Sequence, residues 1–334
     1  MKVAVFSSRE WVRQSFDEAN GDHHFDLTYF DTRLDSNTAA LAENHGTVCA
    51  FVNDDLSADV LTKLSAIGVS LVAMRCAGFN NVDTDRANEL GMTVVRVPAY
   101  SPDSVAEHTI GLMLTLNRRY HRAHWRIREG NFSLDGLLGF DINGKTIGII
   151  GTGRIGKTVA RKLCGFGCRL LGYDRFPDEE WASENKIEYV DLDTLLGESE
   201  IISLHCPLTH DTRHMIDSRS IGLMKDGVML INTSRGALVD TKAVIGGLKS
   251  GKIGYLGLDV YEEESDLFFK DLSEQVIQDD TFVRLETFPN VLITAHQGFF
   301  TREAVANIAA TTLQNISDFQ ETGSSKNAVT SGQR

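Results

Sequence analysis

Nowhere in the 334 residues does an uninterrupted apolar run approach the roughly 18 residues that a membrane-spanning helix needs. The apolar start, Val3 to Phe6, is too short for a secretory signal and is followed almost at once by charge. Cysteine is scarce and unpatterned. The five residues (Cys49, Cys76, Cys164, Cys168 and Cys206) are odd in number and form no CxxC pair, and several lie inside apolar strand-like runs. This is the usage expected of reduced, buried thiols in a cytoplasmic protein rather than of a disulfide scaffold. Positive charge is in deficit, with 33 Lys and Arg against 46 Asp and Glu. The resulting −13 argues against a nonspecific grip on nucleic-acid phosphates or on an anionic membrane surface, so an anionic ligand must be held locally. There is no internal repeat and no low-complexity segment. What remains is an ordinary globular composition, long enough for about two domains that each bury a core.

Short β-branched runs alternate with helical patterns throughout, the pattern of doubly wound parallel α/β sheets. One set of expected strands covers residues 2–6, 25–30, 47–52, 71–76 and 93–97. A second covers 146–150, 170–173, 201–205, 228–232, 256–259 and 291–294. Between them a helix is expected from Ser101-Pro102, or from Ser104 with Glu107 three residues on, to about Tyr120. Val105, Ile110, Leu112, Met113, Leu114 and Leu116 run nearly all round it, which predicts burial and partial contact with another subunit. Residues 118–128 are basic and 130–144 loop-like. Residues 302–319 read as a closing helix and 321–334 as a polar, frayed tail.

The run from Thr146 to Gly156 is a buried strand entering GxGxxG ahead of a helical pattern. Gly151 permits the tight turn, Gly153 lets backbone approach a pyrophosphate, and Gly156 lets helix pack on strand, while Arg154 and Ile155 open the helix whose N–H groups face the phosphates. Asp174 ends the next strand 23 residues after Gly151, where a carboxylate meets an adenosine ribose and repels a 2′-phosphate. NAD is therefore favoured over NADP, although Arg175 offers a guanidinium to that phosphate.

Four further segments end strand-like runs with polar residues, starting at Arg75, Asn232, Asp259 and Thr294. An arginine, a carboxylate and a histidine in that order suit reduction of a 2-keto acid: the guanidinium grips the carboxylate, and a carboxylate-backed imidazolium supplies the proton. His205, His210 and His214 are close in sequence but lack metal-ligand phasing, so no metal is expected. His121 and His124 read as a wet basic face that touches a neighbouring subunit, and Cys164 and Cys168 as packing thiols.

In these residues the sequence resembles the D-2-hydroxyacid dehydrogenase family, and within it the fermentative lactate-type branch. The resemblance covers nearly the whole chain. It is carried by Pro98 to Pro102 with Val105 to His108, Gly151 to Gly156, His205 to Thr209, Asn232 to Gly236, Gly257 to Glu264, and Thr294 to Gln297. It implies Arg235 as the substrate-orienting cation, His296 as acid/base and Glu264 as its carboxylate partner. It also implies cofactor contacts at Cys206, Pro207, Thr212, Thr233, Ser234 and Asp259, and substrate contacts at Ala77, Gly78 and Tyr100 besides Arg235 and His296. Glu262 and Glu263 precede Glu264, so this assignment rests on register, and the alternative is that all three line a solvated face. The implied fold is a Rossmann NAD-binding domain, residues 101–298, inserted into a flavodoxin-like substrate domain of residues 1–100 and 299–334, with hinges near 100 and 298. The implied activity is reversible hydride transfer between NADH and pyruvate giving D-lactate, in a homo-oligomer, dimer or tetramer. The rivals are reduction of glyoxylate, hydroxypyruvate or a bulkier 2-keto acid, and a dinucleotide-sensing scaffold resembling the carboxy-terminal binding protein corepressors.

Overall fold

The computed structural model describes residues 1–329, which divide into two compact units, residues 1–101 with 300–329, and residues 102–299. The first is built on β1 (Lys2–Val5), β2 (Asp26–Tyr29), β3 (Thr47–Ala50), β4 (Leu71–Met74) and β5 (Thr93–Val95). All are parallel, in the order β2-β1-β3-β4-β5. Strands covered on both faces have no polar side to show, which is why β3 and β4 read as unbroken buried runs. Val3, Val5, Leu71 and Val95 share a core with Val12 and Phe16 of the helix Glu10–Ala19 and with Ala309, Leu313 and Ile316 of the helix Arg302–Thr322. The four- and three-residue spacings put each helical set on one face.

The tail after that closing helix is not frayed as far as residue 329. Ala328 bridges Val95 in antiparallel sense, Arg96 N donates to Asn327 O, and Val329 N donates to Val94 O. The polar side chains that suggested solvent instead satisfy one another, Ser325 and Asn327 both donating to Asn315 Oδ1. Residues 330–334 lie outside the described residues.

The second unit carries β6 (Thr146–Ile150), β7 (Arg169–Tyr173), β8 (Ile187–Tyr189), β9 (Ile201–Leu204), β10 (Val228–Asn232), β11 (Ile253–Leu258) and β12 (Val291–Ile293). They form one parallel sheet in the order β12-β11-β10-β9-β6-β7-β8. Alternation along β10 sends Met229 and Ile231 to one core, with Ile110, Leu112, Met113 and Leu116, and Val228 and Leu230 to the other, with Leu195, Ile221, Val244 and Leu248. Strand β8 is not among the expected strands, because an edge strand of three residues, Ile-Glu-Tyr, carries no periodicity.

Two readings of the helix after residue 101 need correction. It spans Pro102–Arg118 and breaks at Arg119, whose φ of +53° separates it from the helix Tyr120–Arg128. It begins at Pro102, and Ser104 builds no capping box: its hydroxyl donates to Gly298 O, while Glu107 pairs with Lys162. Cys164 is exposed and not a packing thiol, since it ends the helix Arg154–Cys164 on the solvent side.

Candidate active site

Strand order in the second unit reverses between β6 and β9, and an open α/β sheet binds ligands at the carboxyl edge of such a reversal. Gly151 ends β6 there with φ +93°, and a Cβ on it would lie 2.5 Å from Cys206 N at the end of β9. A Cβ on Gly156 would lie 1.9 Å from Gly151 O. Both glycines are thus demanded by the protein itself. Gly153 is different, because a Cβ there would meet nothing within 4 Å. The backbone over Gly153 is open, and it N-caps the helix Arg154–Cys164 with no side-chain cap bond, so first-turn N–H groups remain for an anion. Arg154 is exposed beside them and Ile155 half-buried. These residues fit a dinucleotide pyrophosphate.

Asp174 is locked at the end of β7. Its Oδ2 accepts from Thr152 N at 2.6 Å and Thr152 Oγ1 at 3.1 Å, and its Oδ1 accepts from Phe176 N at 2.9 Å. Tyr189 Oη supports Thr152 from β8 at 2.6 Å. Arg175 faces Asp211 at 3.4 Å, with both side chains largely in solvent. At the ends of β9 and β10, Thr212 Oγ1 donates to Pro207 O, Ser234 Oγ donates to Leu204 O, and the buried Thr233 hydroxyl pairs with Thr109. Burial pushes the Cys206 thiol up to about 11, and its sulfur lies 3.5 Å from Met215 Sδ, so it is a neutral packing group there.

A histidine–carboxylate pair lies on the other half of the sheet. Glu264 Oε1 is 2.8 Å from His296 Nδ1, and Glu264 Oε2 accepts from Tyr261 N at 3.0 Å. Phe269 and Phe299 flank the imidazole at 5.8 and 6.5 Å between ring centroids. Ala295 and His296 are both left-handed, at φ +50° and +58°, a conformation non-glycine residues keep only when their surroundings impose it. Asp259 imposes it. Its Oδ1 accepts from Thr294 Oγ1 at 2.6 Å and Gln297 N at 2.8 Å, and its Oδ2 accepts from Gly298 N at 2.8 Å. Burial pushes this carboxyl up, but the hydrogen bond and charge of His108, the Thr294 hydroxyl and the charge of His296 outweigh it and hold Asp259 below the usual carboxylate range.

Arg235 follows β10 on a loop closed by Asn232, whose side chain donates to Arg235 O at 2.8 Å and accepts from Ser234 N at 3.0 Å. Arg235 Nη1 donates to Ser234 O, leaving most of its fork for a ligand. A Cβ on Gly236 would lie 2.0 Å from Tyr261 C, so the arginine loop lies directly on the chain that leads to Glu264.

The acidic run does not form a solvated face. Glu264 meets His296, Glu262 turns away to His214 and Thr241, and Glu263 is exposed. The sequence assigns no role to His108, whose Nε2 is 2.9 Å from Thr294 Oγ1 and 3.2 Å from Asp259 Oδ1; its place at the end of the Val105 to His108 stretch that carries the resemblance is its signal. Burial pushes His205 down to about 3, which makes it neutral, and among the described residues no group of histidine, cysteine and carboxylate is arranged to hold a metal. Ala77, Gly78 and Tyr100 belong to the first unit: Arg96 donates to Ala77 O, Cys76 Sγ to Gly78 O, and Asn307 to Tyr100 O.

A dinucleotide turn and a carboxylate-backed imidazole at the carboxyl edge of one sheet define an oxidoreductase of the nucleotide-dependent class. The model of the D-isomer-specific 2-hydroxyacid dehydrogenase NAD-binding domain matches residues 110–298, and the chain belongs to that family. It is 54% identical to the D-lactate dehydrogenase of Escherichia coli K12, over 96% of this chain and 97% of that one. It is 55% identical to a 2-hydroxyacid dehydrogenase homologue of Haemophilus influenzae, over 95% of each. The D-lactate dehydrogenase of Aquifex aeolicus, solved in complex with NAD and lactic acid, superposes with a TM-score of 0.84 at 37% identity, covering 96% of this chain and 95% of that one.

Proposed function

We propose that this D-2-hydroxyacid dehydrogenase uses NADH to reduce pyruvate to D-lactate, reversibly. The observation that carries the reading is the Glu264–His296 pair on the same sheet edge as the glycine turn; the E. coli and A. aeolicus relatives support the lactate end of the range. When bound, the nicotinamide supplies or accepts the hydride. The protein's own residues do the rest. With Nδ1 committed to Glu264, Nε2 of His296 is the nitrogen that hands a proton to the keto oxygen or takes it back from the hydroxyl. Arg235 binds the substrate carboxylate with two parallel N–H groups and polarises the carbonyl. Phe269 and Phe299 keep water from the imidazole. NADH oxidation followed with a panel of 2-keto acids, with chiral analysis of the product, tests the assignment. Faster turnover of glyoxylate or hydroxypyruvate than of pyruvate, or an L-product, overturns it.

The charge on Glu264 stabilises the imidazolium that reduction requires. Glu264→Gln keeps the shape and removes that charge, so kcat for pyruvate reduction should fall at least about tenfold. A variant with wild-type kcat would remove Glu264 from its role.

Cofactor choice is assigned to Asp174. In Asp174→Ser the repulsion of a 2′-phosphate is gone and Arg175 is at hand, so the NADPH/NADH preference should move at least about tenfold, or about 1.4 kcal/mol. An unchanged ratio of kcat/KM values would mean that another group reads the ribose.

The chain is further assigned to a homo-oligomer. Tyr120, Trp125, Ile127, Phe132, Leu134 and Leu138 are all more than half exposed within 19 residues, more apolar surface than a solvated monomer usually leaves in one short segment. Sedimentation equilibrium should give a dimer or tetramer, and Trp125→Glu with Leu138→Asp should weaken it. A wild-type monomer at micromolar concentration rules the assembly out.

A further inference from the structure

Glu262 carries a charge with no part in the reaction just described, yet its side chain is only 17% exposed. Its Oε1 is 2.5 Å from His214 Nε2 and 3.5 Å from Arg213 Nη2, and its Oε2 accepts from Thr241 Oγ1 at 3.2 Å. His214 is itself left-handed, at φ +52°, and its N–H donates to Ala237 O at 2.8 Å. Two residues on, Ile216 N donates to Leu238 O, and Asp240 N donates back to Ile216 O. The turn that contains Thr209 and Thr212 is thereby laced to the segment that follows Arg235. Gly236 closes the third side: a Cβ on it would lie 2.4 Å from Glu262 N.

Glu262 thus stands where three loops meet, those of Pro207 and Thr212, of Arg235, and of Glu264. Its place in the last of these is what matters. The Tyr261 N–H, one peptide before Glu262, holds Glu264 Oε2, and the other oxygen of that carboxylate holds His296. Glu263 between them is exposed. That donor lies on the Val260–Tyr261 peptide, next to the residue that carries Glu262, so a shift of the backbone at Glu262 would carry Tyr261 and its N–H with it; the partners that fix Glu262 from the side-chain direction are His214, Arg213 and Thr241.

We propose that Glu262 is a positioning residue for the Glu264–His296 pair, fixing the backbone next to the Tyr261 N–H that aims the Glu264 carboxylate and tying it, through His214, to the loops of Arg235 and Thr212. The inference rests on the reading of Glu264 and His296 as the acid/base pair. It accounts for the acidic run chemically: one carboxylate supports the imidazole and another supports that carboxylate's loop. Glu262 touches neither substrate nor cofactor in this role, so the loss it controls is in the chemical step and not in nucleotide binding.

Glu262→Gln, which keeps the size and loses the charge, should lower kcat for pyruvate reduction about tenfold with KM for NADH within twofold. His214→Gln should do the same, and the double variant should be no worse than about twofold below either single one, because the two act as a unit. In a Glu264→Gln background, Glu262→Gln should add less than a further twofold. An unchanged kcat, a loss confined to KM for NADH, or an undiminished tenfold loss in the Glu264→Gln background overturns the proposal while leaving the acid/base assignment standing. Full activity of Glu264→Gln alone overturns that assignment and this inference together. If Glu262→Gln does not fold, Thr241→Val removes one partner of the same carboxylate, and its kcat should fall two- to threefold with KM for NADH unchanged; no change in kcat counts against the proposal.

Discussion

Arg235→Lys should lose at least about 100-fold in kcat/KM for pyruvate, close to 2.7 kcal/mol of transition-state stabilisation, although the charge is kept. A guanidinium presents a planar fork that meets both oxygens of a carboxylate, while an ammonium is a compact, strongly hydrated point charge on a flexible stem. The loop leaves no room to compensate, since Asn232 closes it from both sides and Gly236 is pressed against Tyr261. A lysine there cannot be carried forward to recover the second contact. The loss should fall on both KM for pyruvate and kcat, because the same contact anchors the ground state and polarises the reacting carbonyl. A lysine variant within threefold of wild type would remove Arg235 from its assigned role.

Gly236→Ala adds one methyl group and should be nearly as damaging. The new carbon would sit 2.0 Å from Tyr261 C and 2.1 Å from Tyr261 O, and neither is the yielding end of a flexible side chain. The Arg235 and Glu264 loops would have to part by more than 1 Å to restore ordinary contact, and a displacement of that size in a catalytic array costs about 100-fold. Overpacking of this kind also lowers stability by about 1–3 kcal/mol. Steady-state kinetics beside a thermal melt separates the two effects. Wild-type kcat/KM in a folded alanine variant would show that the loops are not set by this approach.

Much of this site was readable beforehand because its signals are local. The glycine turn needs only its strand, its helix and an acidic residue at the end of the next strand, and all three are short-range patterns. The pairing of Glu264 with His296 was readable only through register with a family motif. Composition cannot say which of three adjacent glutamates turns inward; that is decided by His214, 48 residues away along the chain, which captures Glu262. The break at Arg119 was missed because a single left-handed residue leaves the apolar pattern around it intact. The tail went astray for the opposite reason. Residues 324–329 look solvated, but the open edge of β5 offers backbone partners that no side-chain pattern reveals.

That docked tail belongs to a unit whose parts are far apart in the chain, and this orders events during synthesis. Val3 and Val5 reach their final packing only when Ala309, Leu313 and Ile316 arrive, with residues 102–299 made in between. At about 5–20 residues per second the wait is roughly 10–40 s. During that time the first five strands carry an apolar face only half covered, by the helix Glu10–Ala19, and an unpaired β5 edge, while the inserted unit has everything it needs to fold. A newly made chain should therefore pass through a stage with one finished unit and one sticky, half-built sheet. Chaperone dependence and losses to aggregation should be concentrated there.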